Sequence, residues 1–176
     1  MKKAVLGTLL ALIATWPALG APPKLLHVTQ SVDIAAPVER VWDTVKSFDS
    51  LDKWHPGFSK DTLVKGTNDK PGAVRSLTIK DGPSFTEELL AFSDKSHSFR
   101  YRIVESPLPI KGYVSRLSVS PGPNGGSRVT WSGTFRRKNA AEHPPENESD
   151  AGVTKLVTGV YDGGLKNLQK MLGGTA

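Results

Sequence analysis

The chain has no cysteine among its 176 residues. Disulfides, thiol nucleophiles and cysteine-ligated metals are therefore excluded, and packing and hydrogen bonds must hold the fold alone. Histidine is scarce: His27, His55, His97 and His143 stand at spacings that match no metal-ligand pattern, so no metal or other cofactor is expected. No Gly-x-Ser-x-Gly nucleophile elbow occurs. The glycine-rich turn Gly122 to Gly126 leads into a strand pattern rather than a helix, so it is not a phosphate loop. No aromatic-interleaved basic face of the kind that nucleic acid requires is visible. No stretch stays apolar for the roughly 20 residues of a membrane-spanning helix. There are no internal repeats or low-complexity tracts.

What is present begins with an apolar run from Ala4 to Trp16, preceded by Lys2 and Lys3 and broken by Pro17. Ala18-Leu19-Gly20 then puts small residues at the −3 and −1 positions of a cleavage site. This is the form of a Sec-type signal peptide. Residues 1–20 are expected to be removed before Ala21, leaving residues 21–176 as one domain. With no cysteine for lipid attachment, no stable membrane anchor is expected. The paired lysines suit a bacterial signal, and the expected compartment is the periplasm. Formal charge is +6, and +4 without Lys2 and Lys3. Apart from Arg136-Arg137-Lys138 the excess is dispersed, and it slightly favours an acidic protein partner or an anionic ligand.

The longest periodic segment is the last. From Asn147 to Leu172, Val153, Leu156, Val157, Val160, Tyr161, Leu165, Leu168 and Leu172 recur at steps of three and four, one stripe of an α-helix. Gly159, Gly163 and Gly164 interrupt it, each costing about 1 kcal/mol relative to Ala. Either they allow close packing or a kink, or they leave a space between the helix and whatever it covers. Upstream, Leu25 to Ile34 alternates as a first strand. Pro37 then suits the first position of a helix whose stripe is Val38, Val41, Trp42, Val45 and Phe48. A second short helix spans Asp49 to Trp54. Period-two patterning follows at Leu63-Val64, Ala73 to Lys80, Ser84 to Ser93, His97 to Glu105, Ile110 to Ser120 and Arg128 to Lys138. Asp81-Gly82-Pro83 marks a hairpin. The fold class is α+β: a seven-stranded, curved antiparallel sheet wrapped around a long C-terminal helix, with two short helices after the first strand.

Several local patterns carry a resemblance to a known superfamily. They are Val32-Asp33-Ile34-Ala35-Ala36-Pro37-Val38-Glu39-Arg40-Val41-Trp42, then Trp54-His55-Pro56, Pro71-Gly72-Ala73-Val74-Arg75, Asp81-Gly82, Thr86-Glu87, Tyr101-Arg102-Ile103-Val104-Glu105 and Val129-Thr130-Trp131. Over about Leu26 to Leu172 the chain resembles the START-like, or SRPBCC, superfamily of helix-grip, polyketide cyclase-like domains. The Trp-His-Pro and Arg…Asp-Gly…Thr-Glu patterns, with the signal peptide, look most like its MxaD-like periplasmic branch. The resemblance implies an internal cavity and a role in helping methanol dehydrogenase pass electrons to its cytochrome c.

The candidate binding residues are Trp54, His55, Arg75, Glu87, Tyr101, Tyr113 and Trp131. His55 can meet a ligand or act as an acid or base, or it can tie its turn to the backbone. Trp54 is a ligand stacker or a core plug. Arg75 and Glu87 come together as diagonal neighbours across the hairpin. Facing inward they form a polar anchor in an apolar cavity; facing outward they are a surface ion pair worth under about 1 kcal/mol. Tyr101, Tyr113 and Trp131 line the inner face, as core or as cavity wall, and their donors need partners when buried. Three functions follow: a non-enzymatic accessory protein of methanol oxidation, a carrier of a small hydrophobic ligand or lipid, and a cyclase-like enzyme using His55 and Glu87.

Overall fold

The computed structural model describes residues 22–173; the signal-peptide assignment lies outside them. β1 (Leu26–Ile34) is followed by α1 (Val38–Val45) and α2 (Leu51–Trp54). Next come β2 (Phe58–Lys65), β3 (Val74–Ile79), β4 (Ser84–Ser93), β5 (Ser98–Glu105), β6 (Ile110–Pro121) and β7 (Ser127–Arg137), and the described chain closes with α3 (Asp150–Leu172). The strands form one antiparallel sheet in the order β1-β7-β6-β5-β4-β3-β2. Hairpins join β2 through β7 in sequence, and β1 closes the sheet beside β7. The α+β helix-grip fold expected from the sequence is the fold of the protein.

Alternation decides which face of the curved sheet is dry. Phe99 and Tyr101 of β5, Leu117 and Val119 of β6, and Val129, Trp131 and Phe135 of β7 are buried. Arg100, Arg102 and Arg128, between them in sequence, are exposed. α1 covers one end of that face, where Trp42 packs against Phe92 and Phe99 with ring centroids 5.6 and 6.2 Å apart. α3 lies mainly over β1 and β7 and buries Val153, Val157, Tyr161, Leu165 and Leu168. Its far end is tied down by Asn167, which donates to the Trp54 carbonyl at 2.9 Å.

Four details differ from the sequence reading. α3 begins at Asp150, not Asn147: Ser149 caps it, its hydroxyl accepting from the Gly152 N–H at 3.0 Å, and Glu146–Glu148 form a separate 3-10 turn. Pro37 is the N-cap of α1 rather than its first helical residue. β2 starts at Phe58, because this edge strand turns only a few residues inward and a bulge after Phe58 breaks the alternation. Leu156 is not part of the buried stripe; it is 37% exposed.

Candidate functional site

Where α3 leans on β1 and β7, it stands away from the other half of the sheet. The space between is a cavity of about 1250 Å³, open at a rim. Apolar groups from every layer wall it, among them Leu51, Phe58, Phe85, Ile103, Leu108 and Val157. The helix glycines explain both its existence and its limit. A Cβ on Gly159 would meet nothing within 4 Å, and one on Gly163 would come only within 3.9 Å of His55. Gly164 is the opposite case: its Cβ would lie 2.5 Å from His55 Cδ2 and 3.0 Å from the Trp131 ring. One glycine therefore lets the helix dock, and the other two widen the hollow. Leu156 sits on the rim of the same space.

His55 follows α2 in the wall between the helix and Trp131. The Gly57 N–H donates to its Nδ1 at 3.0 Å, so Nε2 carries the proton and donates to the Val160 carbonyl at 2.8 Å. Both nitrogens are thus engaged by backbone, one within the turn and one on α3. Burial holds its pKa below the ordinary imidazole range. Trp54 does not reach the cavity. It is 2% exposed, sits 5.6 Å from Trp131 ring to ring, and plugs the core behind His55.

Arg75 and Glu87 face inward. They are directly opposite in the β3–β4 register, not diagonal. Glu87 Oε2 accepts from Arg75 Nε at 2.9 Å and Nη2 at 2.6 Å. A third charged group, which the sequence analysis did not single out, completes the cluster. Asp61 of β2 accepts from Arg75 Nη1 at 3.2 Å and from the Leu51 N–H at 2.9 Å, with its side chain fully buried. Arg75 also donates to the Phe48 carbonyl, and its guanidinium lies 4.3 Å from the Phe48 ring centroid. Four hydrogen bonds hold the guanidinium behind the wall, and Glu87 alone of the three lines the cavity. Burial outweighs Arg75 and pushes the Glu87 carboxyl up to about 6; the same balance pushes Asp61 up to about 6.

Tyr101, Tyr113 and Trp131 line the floor and are joined by two residues outside the candidate set, Tyr161 and Ser115. Trp131 Nε1 donates to the Tyr101 hydroxyl at 2.8 Å and to Ser115 Oγ at 3.1 Å. Tyr161 stacks on Trp131 at 4.6 Å and 12°. Its hydroxyl is 3.0 Å from Ser115 Oγ and 2.8 Å from the Tyr113 hydroxyl. Gly133 makes room for it, since a Cβ there would lie 2.2 Å from the Tyr161 hydroxyl. Burial raises the pKa of all three tyrosines, Tyr161 to about 12, so they stay neutral. Ser115 had a sequence signal, a lone hydroxyl between Tyr113 and Leu117 on an apolar face. Asp61 had none, because the bulge hides its direction. Among the described residues no group of three or more His, Asp or Glu is placed to hold a metal ion, and no helix is long and apolar enough to cross a membrane.

A long helix gripped by a curved sheet, with a deep apolar cavity between them, defines a helix-grip binding domain. The chain belongs to the polyketide cyclase / dehydrase and lipid transport family, which matches residues 26–173, and so to the START-like superfamily. Among solved structures it is similar to the protein XoxI from Bacillus cereus, with 35% identity, a TM-score of 0.72, and 83% of this chain and 94% of that one covered. This likeness supports the MxaD-like branch. A Nitrosospira multiformis protein is 25% identical with a TM-score of 0.69, covering 85% of this chain and 97% of that one. Curated relatives include the abscisic acid receptors PYL7 and PYL10 of Arabidopsis thaliana. PYL7 is 29% identical over 140 residues, 77% of this chain and 63% of the receptor; PYL10 is 34% identical over 89 residues, 49% and 48%. The matches thus span about half to somewhat under two thirds of these two receptors' length.

Proposed function

We propose that this protein is a non-enzymatic binding protein for a small, largely apolar molecule held between α3 and the sheet. The cavity carries this reading. At about 1250 Å³ it exceeds the range of roughly 300–1,000 Å³ for ordinary ligand pockets. Its few polar groups converge on the floor. The family description includes lipid transport, and the plant relatives are named as receptors of a small molecule. Native mass spectrometry of protein purified from its own host, with a thermal-shift panel of lipids and aromatic compounds, tests it. A bound mass and a shift are expected; neither appearing would dismiss the binding role.

The finer reading is a periplasmic accessory of methanol oxidation, acting between methanol dehydrogenase and cytochrome c. The MxaD-like resemblance and the likeness to XoxI favour it, as does surface charge. Arg100 and Arg116 stand opposite each other on the exposed face of β5 and β6, a like-charged pair that an acidic partner would relieve. The cavity is far larger than methanol itself, with a volume roughly forty times a water molecule's share of the liquid. Export is part of this reading: the secreted protein is expected to begin at Ala21 on N-terminal sequencing, and a retained Met1 would remove the periplasmic assignment. A cyclase reading draws less support, because His55 has both ring nitrogens engaged by backbone and no lone pair to offer Glu87 or a substrate.

A further inference from the structure

The direction of the hydrogen bonds on the cavity floor can be worked out from Ser115. Its hydroxyl donates to the Ser132 carbonyl at 2.8 Å, and a serine hydroxyl has one proton. Toward Tyr161, Ser115 Oγ must therefore accept, and Tyr161 donates. Tyr161 has then used its proton, so Tyr113 donates to Tyr161. The long 3.4 Å approach of Tyr101 to Tyr113 is then a donation from Tyr101. The chain runs one way, Tyr101 to Tyr113 to Tyr161 to Ser115 to the Ser132 carbonyl. Trp131 Nε1 feeds it, and the His55 proton is fixed on Val160. Donors on the floor all point at protein; the free valences are oxygen lone pairs.

Glu87 adds to this. Oε2 takes both bonds from Arg75, and Oε1 has no hydrogen-bond partner among the described residues, on a side chain that lines the cavity. Arg75 is shared with Asp61, so with both carboxylates ionised the buried cluster sums to −1. Lys155, the basic side chain of the lining apart from His55, is exposed at the rim. We propose that the cavity takes apolar molecules ending in a hydrogen-bond donor, an alcohol or a protonated amine, and discriminates against carboxylates. This rests on the binding function proposed above. A donor head would meet Glu87 Oε1 and tyrosine lone pairs, whereas a carboxylate would bring acceptors to acceptors and negative charge to negative charge.

The test is calorimetric titration at pH 7.5 with two matched series, each below its aggregation limit. One is dodecan-1-ol, dodecylamine and dodecanoate; the other is 2-naphthylmethanol, 2-naphthylmethylamine and 2-naphthoate. In at least one series the alcohol and amine should bind tenfold or more tighter than the acid. Glu87→Gln should shrink the amine-to-acid ratio at least tenfold. If that variant does not fold, the wild-type series decides alone. Failure of both series to reach that tenfold preference overturns the donor preference and leaves the binding function standing. No binding by any of the six compounds overturns both. An unchanged ratio in folded Glu87→Gln removes Glu87 from the proposal.

Discussion

Glu87 and His55 show how single side chains in one wall acquire opposite pH behaviour from the same cause. Burial disfavours the charged form of each, which raises the carboxyl and lowers the imidazole. For Glu87, the folded chain keeps its proton up to about pH 6, while the unfolded chain releases it around 4.5. The stability this supplies is fully present below about 4.5 and is lost as pH rises to about 6. Measured by urea unfolding, wild type should therefore lose about 2 kcal/mol more than Glu87→Gln as pH rises across that window. His55 tilts both curves the other way and cancels in the comparison. At the floor, Tyr161→Phe leaves Ser115 Oγ and the Tyr113 proton without their partner, and a loss of about 1–2 kcal/mol is expected in the same measurement.

Among the elements, α3 is the one whose sequence said most. Its stripe was legible because Val153, Val157, Tyr161, Leu165 and Leu168 hold helical spacing. The strands were legible because one face is wet, so Arg100 and Arg102 flank Tyr101 in the pattern. Less could be read where spacing carries no direction. The bulge in β2 turns Asp61 inward without any periodic mark, and whether Arg75 and Glu87 faced in or out depended on a pleat that the hairpin sequence does not encode. Helical spacing could not separate the three glycines either, since their difference lies in what stands opposite each. That difference is measurable. Gly164→Ala should cost about 1–3 kcal/mol, because the added methyl meets His55 and Trp131. Gly159→Ala, open to the cavity, should gain about 0.5–1 kcal/mol. Equal costs at the two positions, or a larger cost at Gly159 than at Gly164, in thermal melts would contradict this packing.

For the whole molecule the question is what its outer surface meets. Arg100 and Arg116 lie on the convex side of the sheet, away from the cavity. Reversing both, R100E with R116E, should abolish low-salt recovery of an acidic partner from a periplasmic extract without altering binding in the cavity. Wild-type recovery that is equally strong at about 1 M salt, where exposed charges are screened within about 3 Å, would argue for a different docking surface.

A domain with so large a hollow forgoes part of the contact energy that a solid interior would supply. Any molecule that fills the hollow raises the unfolding free energy by RT ln(1 + [L]/Kd), about 2.7 kcal/mol when its concentration is a hundred times Kd. Proteases act on opened chains, so the protein's lifetime in the cell would follow the supply of its cargo. Abundance itself would then report whether that cargo is being made.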